Sequence, residues 1–266
     1  MIVINNRLDK ELVARKIFQT RAKAVTAINS GIVSCNNIII TKPSMLIDKN
    51  TEIKIVGNIM PYVSRGGLKL EKALKTFAID LGNKIMLDIG SSTGGFTDCA
   101  LQNNVKKVIA VDVGSNQMDS KLREDNRVSL YEKTDFRDFD INLLKEVDIV
   151  TIDVSFISVI KIMNKLKEIE SLKEIICLIK PQFEVGKEIA SKYKGVILKP
   201  DIHKEVIQNI INAFFEAGFF CSGITYSPIT GGDGNMEYLL YLKKNNLNLK
   251  FNINNIVNEA FNSIPR

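Results

Sequence analysis

The chain has 266 residues, of which 45% are apolar and 25% charged, and its net charge is +6. This length and composition fit a globular protein of two domains, and the absence of an apolar run long enough to span a membrane predicts no membrane association. The first residues lack the basic lead and apolar run of a signal peptide, which favours a cytoplasmic location. The four scattered cysteines and the single His203 argue against a disulfide framework, a metal site or a histidine-based triad.

The excess positive charge is concentrated near the N-terminus. Residues 1–60 contain nine Lys or Arg and four Asp or Glu, a net charge of +5. The remaining residues are almost balanced, with a net charge of +1. This asymmetry predicts a separate basic module that faces a polyanion such as RNA.

Residues 1–59 predict a small α+β domain. Apolar spacing indicates a helix over 7–18, and Thr20 is a suitable N-cap for a second helix that ends at Gly31. Short β-rich runs follow at 38–41 and 52–56.

Several cations of this domain fall at the junction between the two predicted helices. They could form an ordinary solvated helix surface, but the local charge excess favours contact with phosphates. The stretch resembles an S4 RNA-binding domain through Arg7-Leu-Asp, Thr20-Arg-Ala-Lys-Ala and Ile28-Asn-Ser-Gly-Ile-Val33, although Cys35-Asn-Asn37 replaces the usual asparagine–glycine turn. The candidate RNA contacts in this domain are Arg7, Arg15, Lys16, Arg21 and Lys23. Arg65, in the next domain, is a further candidate.

Beyond a short linker at 60–63, residues 64–266 alternate between strand and helix patterns. Strands are predicted at 84–88, 107–112, 128–131, 148–152, 174–180, 219–227 and 236–243, and helices at 95–103, 158–170 and 201–217. Such alternation predicts a mostly parallel seven-stranded sheet, and the Gly-rich turn between the last two strands predicts an antiparallel last strand. By analogy, this is the α/β Rossmann-like plan of methyltransferases.

The turn after the first of these strands is rich in glycine and carries a ligand signal. Ser92 occupies the position of the second glycine in a dinucleotide-binding loop, and the nearby acid Asp88 would repel a pyrophosphate. The acids Asp112 and Asp135 follow the next two strands and suit ribose hydroxyls and an adenine amino group. We therefore expect S-adenosylmethionine, whose ammonium and sulfonium are cationic, bound by Asp88, Gly90, Ser91, Ser92, Gly94, Phe96, Asp112 and Asp135.

Four charged residues point to the reaction. Asp153 and Lys180 end two parallel strands at the edge where open α/β sheets bind ligands. Glu237 opens the last strand, and Lys69 lies on the helix before the first strand, opposite an apolar stripe. Taken singly, each also fits a strand-end charge, a cap or a surface residue.

Taken together, the four residues resemble the Lys-Asp-Lys-Glu tetrad of FtsJ-like ribose methyltransferases. The similarity extends to Tyr62-Val-Ser-Arg-Gly-Gly-Leu-Lys69-Leu, Asp153-Val-Ser-Phe-Ile-Ser158, Lys180-Pro-Gln-Phe-Glu184 and Asn235-Met-Glu237-Tyr. With the S4-like start, nearly the whole chain resembles the TlyA family. That resemblance implies 2′-O-methylation of a cytidine ribose in 16S or 23S ribosomal RNA, with ribosomal RNA or ribosomal subunits as partners, and leaves the oligomeric state open.

The chemistry leads to a mechanistic hypothesis. Lys180 would take the proton of the ribose 2′-OH, Lys69 could stabilise the developing alkoxide, and Asp153 and Glu237 would orient the lysines and the ribose. The sequence does not decide which lysine has which role. The lysine-rich segment 186–199 is interpreted as a mobile RNA-contacting loop, with an ordinary exposed loop as the alternative.

Three other functions are consistent with parts of the sequence. A non-catalytic RNA-binding or ribosome-assembly protein could use a methyltransferase fold, but the complete tetrad argues against it. Some relatives are labelled haemolysins, although no lytic helix supports direct membrane damage here. An NAD-dependent dehydrogenase conflicts with Ser92 in the glycine-rich turn.

Overall fold

The computed structural model describes residues 6–57, 60–244 and 249–263. The chain divides into two compact units, Met1–Pro61 (unit 1) and Tyr62–Arg266 (unit 2). The domain limits predicted from the sequence, 1–59 and 64–266 around the linker 60–63, stay predictions, and residues 58–59 lie outside the described part.

Unit 1 is a small α+β fold built on two packed helices. Its elements are β1 (Asn6–Arg7), α1 (Leu8–Ala14), α2 (Arg21–Asn29), β2 (Val33–Cys35), β3 (Ile38–Ile39), β4 (Leu46–Ile47) and β5 (Ile53–Ile55). β1 pairs with β4, and β2 lies between β3 and β5 in an antiparallel sheet. Leu8 and Leu12 of α1 and Ile28 of α2 are fully buried in the core between them.

Unit 1 differs from the sequence prediction in its first helix and in the strands β1, β2 and β4, which were not predicted. The first helix ends at Ala14 because Lys16 takes a left-handed φ of 59°, and the turn that follows places Phe18 in the core. Strand β2 was not predicted, since its three residues are all buried and show no alternation. The turn after β2 explains the unusual Asn36-Asn37 pair: both asparagines have positive φ, as a two-residue hairpin turn of type I′ requires.

Unit 2 contains a seven-stranded sheet of order β11-β12-β10-β9-β6-β7-β8. Its strands are β6 (Ile85–Ile89), β7 (Lys107–Val111), β8 (Val128–Tyr131), β9 (Ile149–Ile152), β10 (Glu174–Ile179), β11 (Phe219–Tyr226) and β12 (Tyr238–Lys244). β12 runs antiparallel to both of its neighbours, and the other pairs are parallel. The predicted fold class is confirmed.

Helices cover both faces of this sheet. They are α3 (Gly66–Phe77), α4 (Gly95–Gln102), α5 (Ser120–Arg123), α6 (Ile160–Lys167), α7 (Pro181–Glu184), α8 (Lys187–Lys192), α9 (Pro200–Glu216) and α10 (Ile253–Ser263). α3 and α4 pack on one face around Met86 and Ile176, whereas α6, α9 and α10 pack on the other around Leu87 and Val150. The predicted helix over 158–170 is shorter in the structure, and the segment expected to be a loop contains α8.

The strand order creates a crevice at the carboxyl edge of the sheet. From β6 the chain proceeds outward to β7 and β8, then returns to β9 on the opposite side of β6. The connections after β6 and β9 therefore leave in opposite directions, and ligands of open α/β sheets bind at such a switch point.

Candidate active site

A cavity of about 400 Å³ lies at this switch point and collects the four charged residues singled out from the sequence. Asp153 follows β9, Lys180 follows β10, Glu237 immediately precedes β12, and Lys69 projects from α3. Three strand ends and one helix thus supply the side chains, so the sheet register fixes their relative positions.

The four side chains form a row of alternating charge. Lys180 Nζ lies 2.6 Å from Asp153 Oδ1, Lys69 Nζ lies 4.0 Å from Asp153 Oδ2, and Lys69 Nζ lies 2.5 Å from Glu237 Oε2. The two lysines are each 8% exposed and Glu237 is 2% exposed. Burial raises the pKa of Glu237, and the nearby Lys69 ammonium opposes that rise. Because each charge has an opposite neighbour, the row can persist where water is scarce.

Lys180 has two further neighbours, one in the loop after β9 and one in α7. Its ammonium donates a hydrogen bond to Ser155 Oγ at 3.0 Å and lies 5.9 Å from the centre of the Phe183 ring. These contacts, with the ion pair to Asp153, define the direction of a side chain that the sequence placed only at a strand end.

A second cavity of about 580 Å³ adjoins the first. The two share a border formed by Gly90, Ser92, Asp153, Ser155 and Phe156. The second is also lined by the acids that follow β7 and β8, Asp112 and Asp135. The first cavity, called the catalytic cavity below after the role expected of its four charges, thus lies beside a second cavity lined by the acids that were expected to contact a cofactor.

The glycine-rich turn is packed too tightly for side chains at two of its positions. Gly90 has φ +82°, and a Cβ there would lie 2.4 Å from the carbonyl oxygen of Asp153. Gly94 has φ +91°, and a Cβ there would lie 2.3 Å from Leu122 Cδ1. Because Gly90 has no side chain, the glycine-rich turn can lie close to the loop after β9. Ser91, the next residue of the turn, lines the cavity that contains the four charged residues.

Asp112 organises the same turn from the next strand. Its two carboxylate oxygens accept hydrogen bonds from Ser92 N at 2.7 Å and from Gly114 N at 2.6 Å. Asp135 accepts from the backbone and the guanidinium of Arg137, which lowers the pKa of its carboxyl. Both acids are positioned by these bonds and keep lone pairs that can face the cavity.

Asp88 has a different environment from these acids. It is fully buried, lies outside the lining of either cavity, and accepts hydrogen bonds from the hydroxyls of Thr97 and Thr151. Burial raises the pKa of Asp88 to about 6. Six of the eight expected cofactor contacts line one or both cavities: Gly90, Ser91, Ser92, Phe96, Asp112 and Asp135. The other two, Asp88 and Gly94, line neither cavity.

The sequence analysis missed Phe156 and the loop 229–233. Phe156 is 92% exposed, has a left-handed φ of 65°, and lies 5.0 Å from the Phe183 ring at the mouth of both cavities. At Gly231 a Cβ would come within 2.7 Å of Glu237 Oε1, so this backbone closes over that carboxylate. An exposed phenylalanine in a loop shows no periodic signal, and only the fold reveals where it lies.

The candidate RNA contacts have varied surroundings. Arg65 lines the catalytic cavity. In unit 1, Arg7 and Arg21 both pair with Asp9, and Lys23 contacts the side chain of Gln19. A separate case is the fourth arginine, Arg15, which bonds Glu11 and the carbonyl oxygens of Asp48, Lys49 and Thr51. Arg15 therefore ties unit 1 together internally, and an RNA role for each of these residues stays a prediction. Lys16 occupies the left-handed turn after α1.

Within the described ranges, none of the helices combines the length and apolar character needed to cross a membrane. Across those same residues, no group of three or more His, Cys, Asp and Glu side chains is arranged to hold a metal ion.

The sheet order matches the fold of Rossmann-like methyltransferases, a class that uses S-adenosylmethionine as methyl donor. Residues 62–244 match the model of the FtsJ-like methyltransferase family, and residues 6–53 match that of the S4 domain. The chain belongs to the FtsJ-like methyltransferase family and, within it, to the TlyA proteins, as the following relatives show.

The 16S/23S rRNA (cytidine-2′-O)-methyltransferase TlyA of Mycobacterium tuberculosis is 35% identical over 89% of both chains. Hemolysin A of Brachyspira hyodysenteriae is 42% identical over 88% of this chain and 98% of its own. Among solved structures, a Streptococcus thermophilus protein described as a candidate hemolysin superposes with a TM-score of 0.76 at 39% identity, covering 97% of this chain and 96% of that one.

Proposed function

We propose that this protein transfers a methyl group from S-adenosylmethionine to the ribose 2′-OH of a cytidine in 16S or 23S ribosomal RNA, acting in the cytoplasm on ribosomal RNA or ribosomal subunits. The observation that carries the proposal is the buried row Lys180–Asp153–Lys69–Glu237 beside a glycine-rich turn. The ribosomal target is supported by the name of the mycobacterial relative.

The second cavity fits the methyl donor. Asp112 and Asp135 would bind the ribose hydroxyls and the adenine amino group, because a carboxylate accepts hydrogen bonds from such donors. Ser91 Oγ is buried without a hydrogen-bond partner among the described residues, and it would bind the donor's amino-acid end. The bound donor supplies an electrophilic methyl group on its sulfonium sulfur.

Lys180 is proposed as the general base. Its Nζ is the nitrogen that contacts both Asp153 and the exposed Ser155 hydroxyl, at the border between the two cavities. Lys180 must first release its own ammonium proton to solvent, because only the neutral amine can act as a base. A 2′-OH placed there can then pass its proton to Lys180 as the oxygen bonds to the methyl carbon and displaces the sulfur, which keeps the electrons of the broken C–S bond. Asp153 holds the lysine in place and balances the charge that the proton brings.

Lys69 is proposed to stabilise the substrate oxygen as negative charge develops on it. It lies near two carboxylates, at 2.5 Å from Glu237 and 4.0 Å from Asp153, and so has a fixed position before substrate binds. A cation held in advance costs no reorganisation during the reaction. Glu237 therefore acts by orienting Lys69.

The target nucleotide is proposed to lie against Phe156. The exposed ring stands at the mouth of both cavities, and an aromatic face suits a base that has left its stack. Arg65 lines the same cavity and would contact the adjoining phosphate. The lysine-rich segment that includes α8 adds further positive charge for the backbone.

Methyl transfer from tritiated S-adenosylmethionine tests the proposal. The wild-type protein is incubated separately with small subunits, large subunits and protein-free ribosomal RNA, and labelled RNA is hydrolysed with alkali. We expect label at an alkali-resistant linkage, because a 2′-O-methyl group blocks cleavage at that ribose. Transfer to none of the substrates, despite measurable binding of the donor, would overturn the proposal in favour of a non-catalytic RNA-binding role.

A further inference from the structure

Asp9 of unit 1 is a completely buried carboxylate shared by two arginines. Arg7 donates from Nε to Asp9 Oδ1 and from Nη2 to Oδ2, both at 3.0 Å. Arg21, the first residue of α2, donates from Nε to the same Oδ2 at 2.8 Å. Both guanidinium groups are therefore fixed against one carboxylate, although they come from elements separated by the whole of α1.

The charges of this cluster do not balance. Two guanidinium groups face one carboxylate, and the first turn of α2 contains no acidic residue. The Arg7 and Arg21 side chains are 39% and 55% exposed, whereas Asp9 is 0% exposed. Each guanidinium has five N–H donors, more than Asp9 can accept. Among the residues that the structure describes, the cluster thus presents two adjacent cations and spare N–H donors to solvent, with one anion for two cations.

We propose that Asp9 is a positioning residue for RNA binding, which holds Arg7 and Arg21 together as one two-arginine site for a backbone phosphate. The inference deepens the proposed function, since it rests on RNA being the substrate. A phosphate between the two guanidinium groups supplies the missing negative charge and can accept paired N–H donors from each. The buried carboxylate keeps the two cations side by side before the RNA arrives.

Hydrogen bonds hold the pKa of Asp9 well below its usual range, and the bond from Arg7 contributes more than the bond from Arg21. The carboxylate is therefore charged wherever the protein is folded at neutral pH, and the two arginines stay anchored. Arg15 of the same unit differs from Arg7 and Arg21, because its N–H groups donate to Glu11 and to backbone carbonyl oxygens. It therefore has fewer N–H groups to offer a phosphate.

The experiment measures RNA affinity after Asp9 is neutralised, because a positioning role and simple charge attraction predict opposite changes in Kd. Asp9→Asn makes the protein more positive by one unit, so long-range attraction alone would tighten RNA binding. A positioning role gives the opposite result: we expect the Kd to rise about tenfold, because the arginines lose their anchor. The probe is a fluorescein-labelled oligocytidylate, and the readout is fluorescence anisotropy of the full chain without methyl donor.

Salt dependence supplies a second readout. Arg21→Ala should reduce the slope of log Kd against log salt by about 0.7, the value for one single-strand phosphate contact. Lys54→Ala is the matched control, since it removes the same charge from an exposed side chain of the same unit that pairs with Glu52 instead. The control should leave the slope unchanged.

Thermal unfolding and circular dichroism establish whether each variant is folded. If Asp9→Asn unfolds unit 1, Arg21→Lys decides the matter, because it keeps the charge but loses the guanidinium fork and should still weaken binding. Wild-type affinity in folded Asp9→Asn or in Arg21→Lys, or an unchanged slope in Arg21→Ala, would overturn the proposal. These measurements require no methyl transfer, so their outcome is separate from that of the proposed catalytic function.

Discussion

Lys69 Nζ lies 2.5 Å from Glu237 Oε2, and both side chains are almost completely buried. The lysine comes from the helix before the sheet and the glutamate from the start of its antiparallel strand, so the pair joins distant parts of the chain. Removing one member of a buried ion pair leaves the other charge uncompensated. This relationship explains why a lysine opposite an apolar stripe points into a cavity instead of solvent.

The role of Lys180 predicts a loss confined to the chemical step. In Lys180→Ala, kcat for methyl transfer should fall by a factor of about 10² to 10⁴, because the general base is gone. Donor affinity should change little, since Lys180 is proposed to contact the substrate hydroxyl and does not line the cavity proposed for the nucleoside of the donor. Single-turnover kinetics and calorimetry measure the two quantities.

The matched control for that variant is Lys173→Ala. Lys173 precedes β10 where Lys180 follows it, and it is a largely exposed partner of Asp148. It should retain wild-type kcat. Equal losses in the two variants would contradict a specific role for Lys180.

Phe156 predicts an effect on RNA binding without a cost in stability. Phe156→Ala should weaken RNA binding by about 1–3 kcal/mol, the usual contribution of one base stacked on an aromatic ring. The melting temperature should not fall, because the ring is 92% exposed. Phe156→Tyr should restore affinity. Unchanged affinity in the alanine variant would rule out base stacking at this position.

The sequence predicted those features that depend on neighbouring residues, such as the limits of the strands. It did not predict those that depend on contacts between distant parts of the chain. The strands of unit 2 lie within two residues of their predicted limits, since buried parallel strands form short apolar runs between turn residues. The four charges were chosen from strand ends and motifs, but their alternating order depends on the sheet register. Phe156 and Asp9 both lie in motifs quoted from the sequence, but those motifs show neither the exposure of the Phe156 ring nor the two arginines that share Asp9.

Asp112 predicts a specific loss of donor binding. In Asp112→Asn, one backbone N–H loses its carboxylate acceptor and faces an amide group, so the turn at Ser92 should loosen. The Kd for S-adenosylmethionine should rise about tenfold or more. Calorimetry measures it, with Asp140→Asn as the control. Asp140 also accepts a backbone hydrogen bond, from Asn142 N, but lines neither cavity.

Asp88 predicts a pH dependence of stability. Its ordinary pKa of 3.8 rises to about 6 in the folded state because of burial. The folded protein therefore holds this proton at pH values where the unfolded chain has lost it, and stability falls as pH rises through that window. Relative to Asp88→Asn, the wild type should lose on the order of 3 kcal/mol between about pH 4 and about pH 6.

Urea unfolding at a series of pH values measures this difference. Asp125→Asn is the control of opposite sign, because Arg127 lowers the pKa of Asp125. The contribution of Asp125 is present above its ordinary pKa and is lost as pH falls. A constant difference in the free energy of unfolding between wild type and Asp88→Asn across the window would show that Asp88 does not titrate there.

The most direct test of the central claim is nucleoside mass spectrometry of ribosomal RNA treated with the wild-type protein and S-adenosylmethionine. The row of charges around Lys180 predicts 2′-O-methylcytidine in the wild-type digest and, after the same short reaction time, a yield at least about a hundredfold lower with Lys180→Ala. A methyl group found on the cytosine ring instead of the ribose, or an equal yield of 2′-O-methylcytidine from Lys180→Ala, would contradict it.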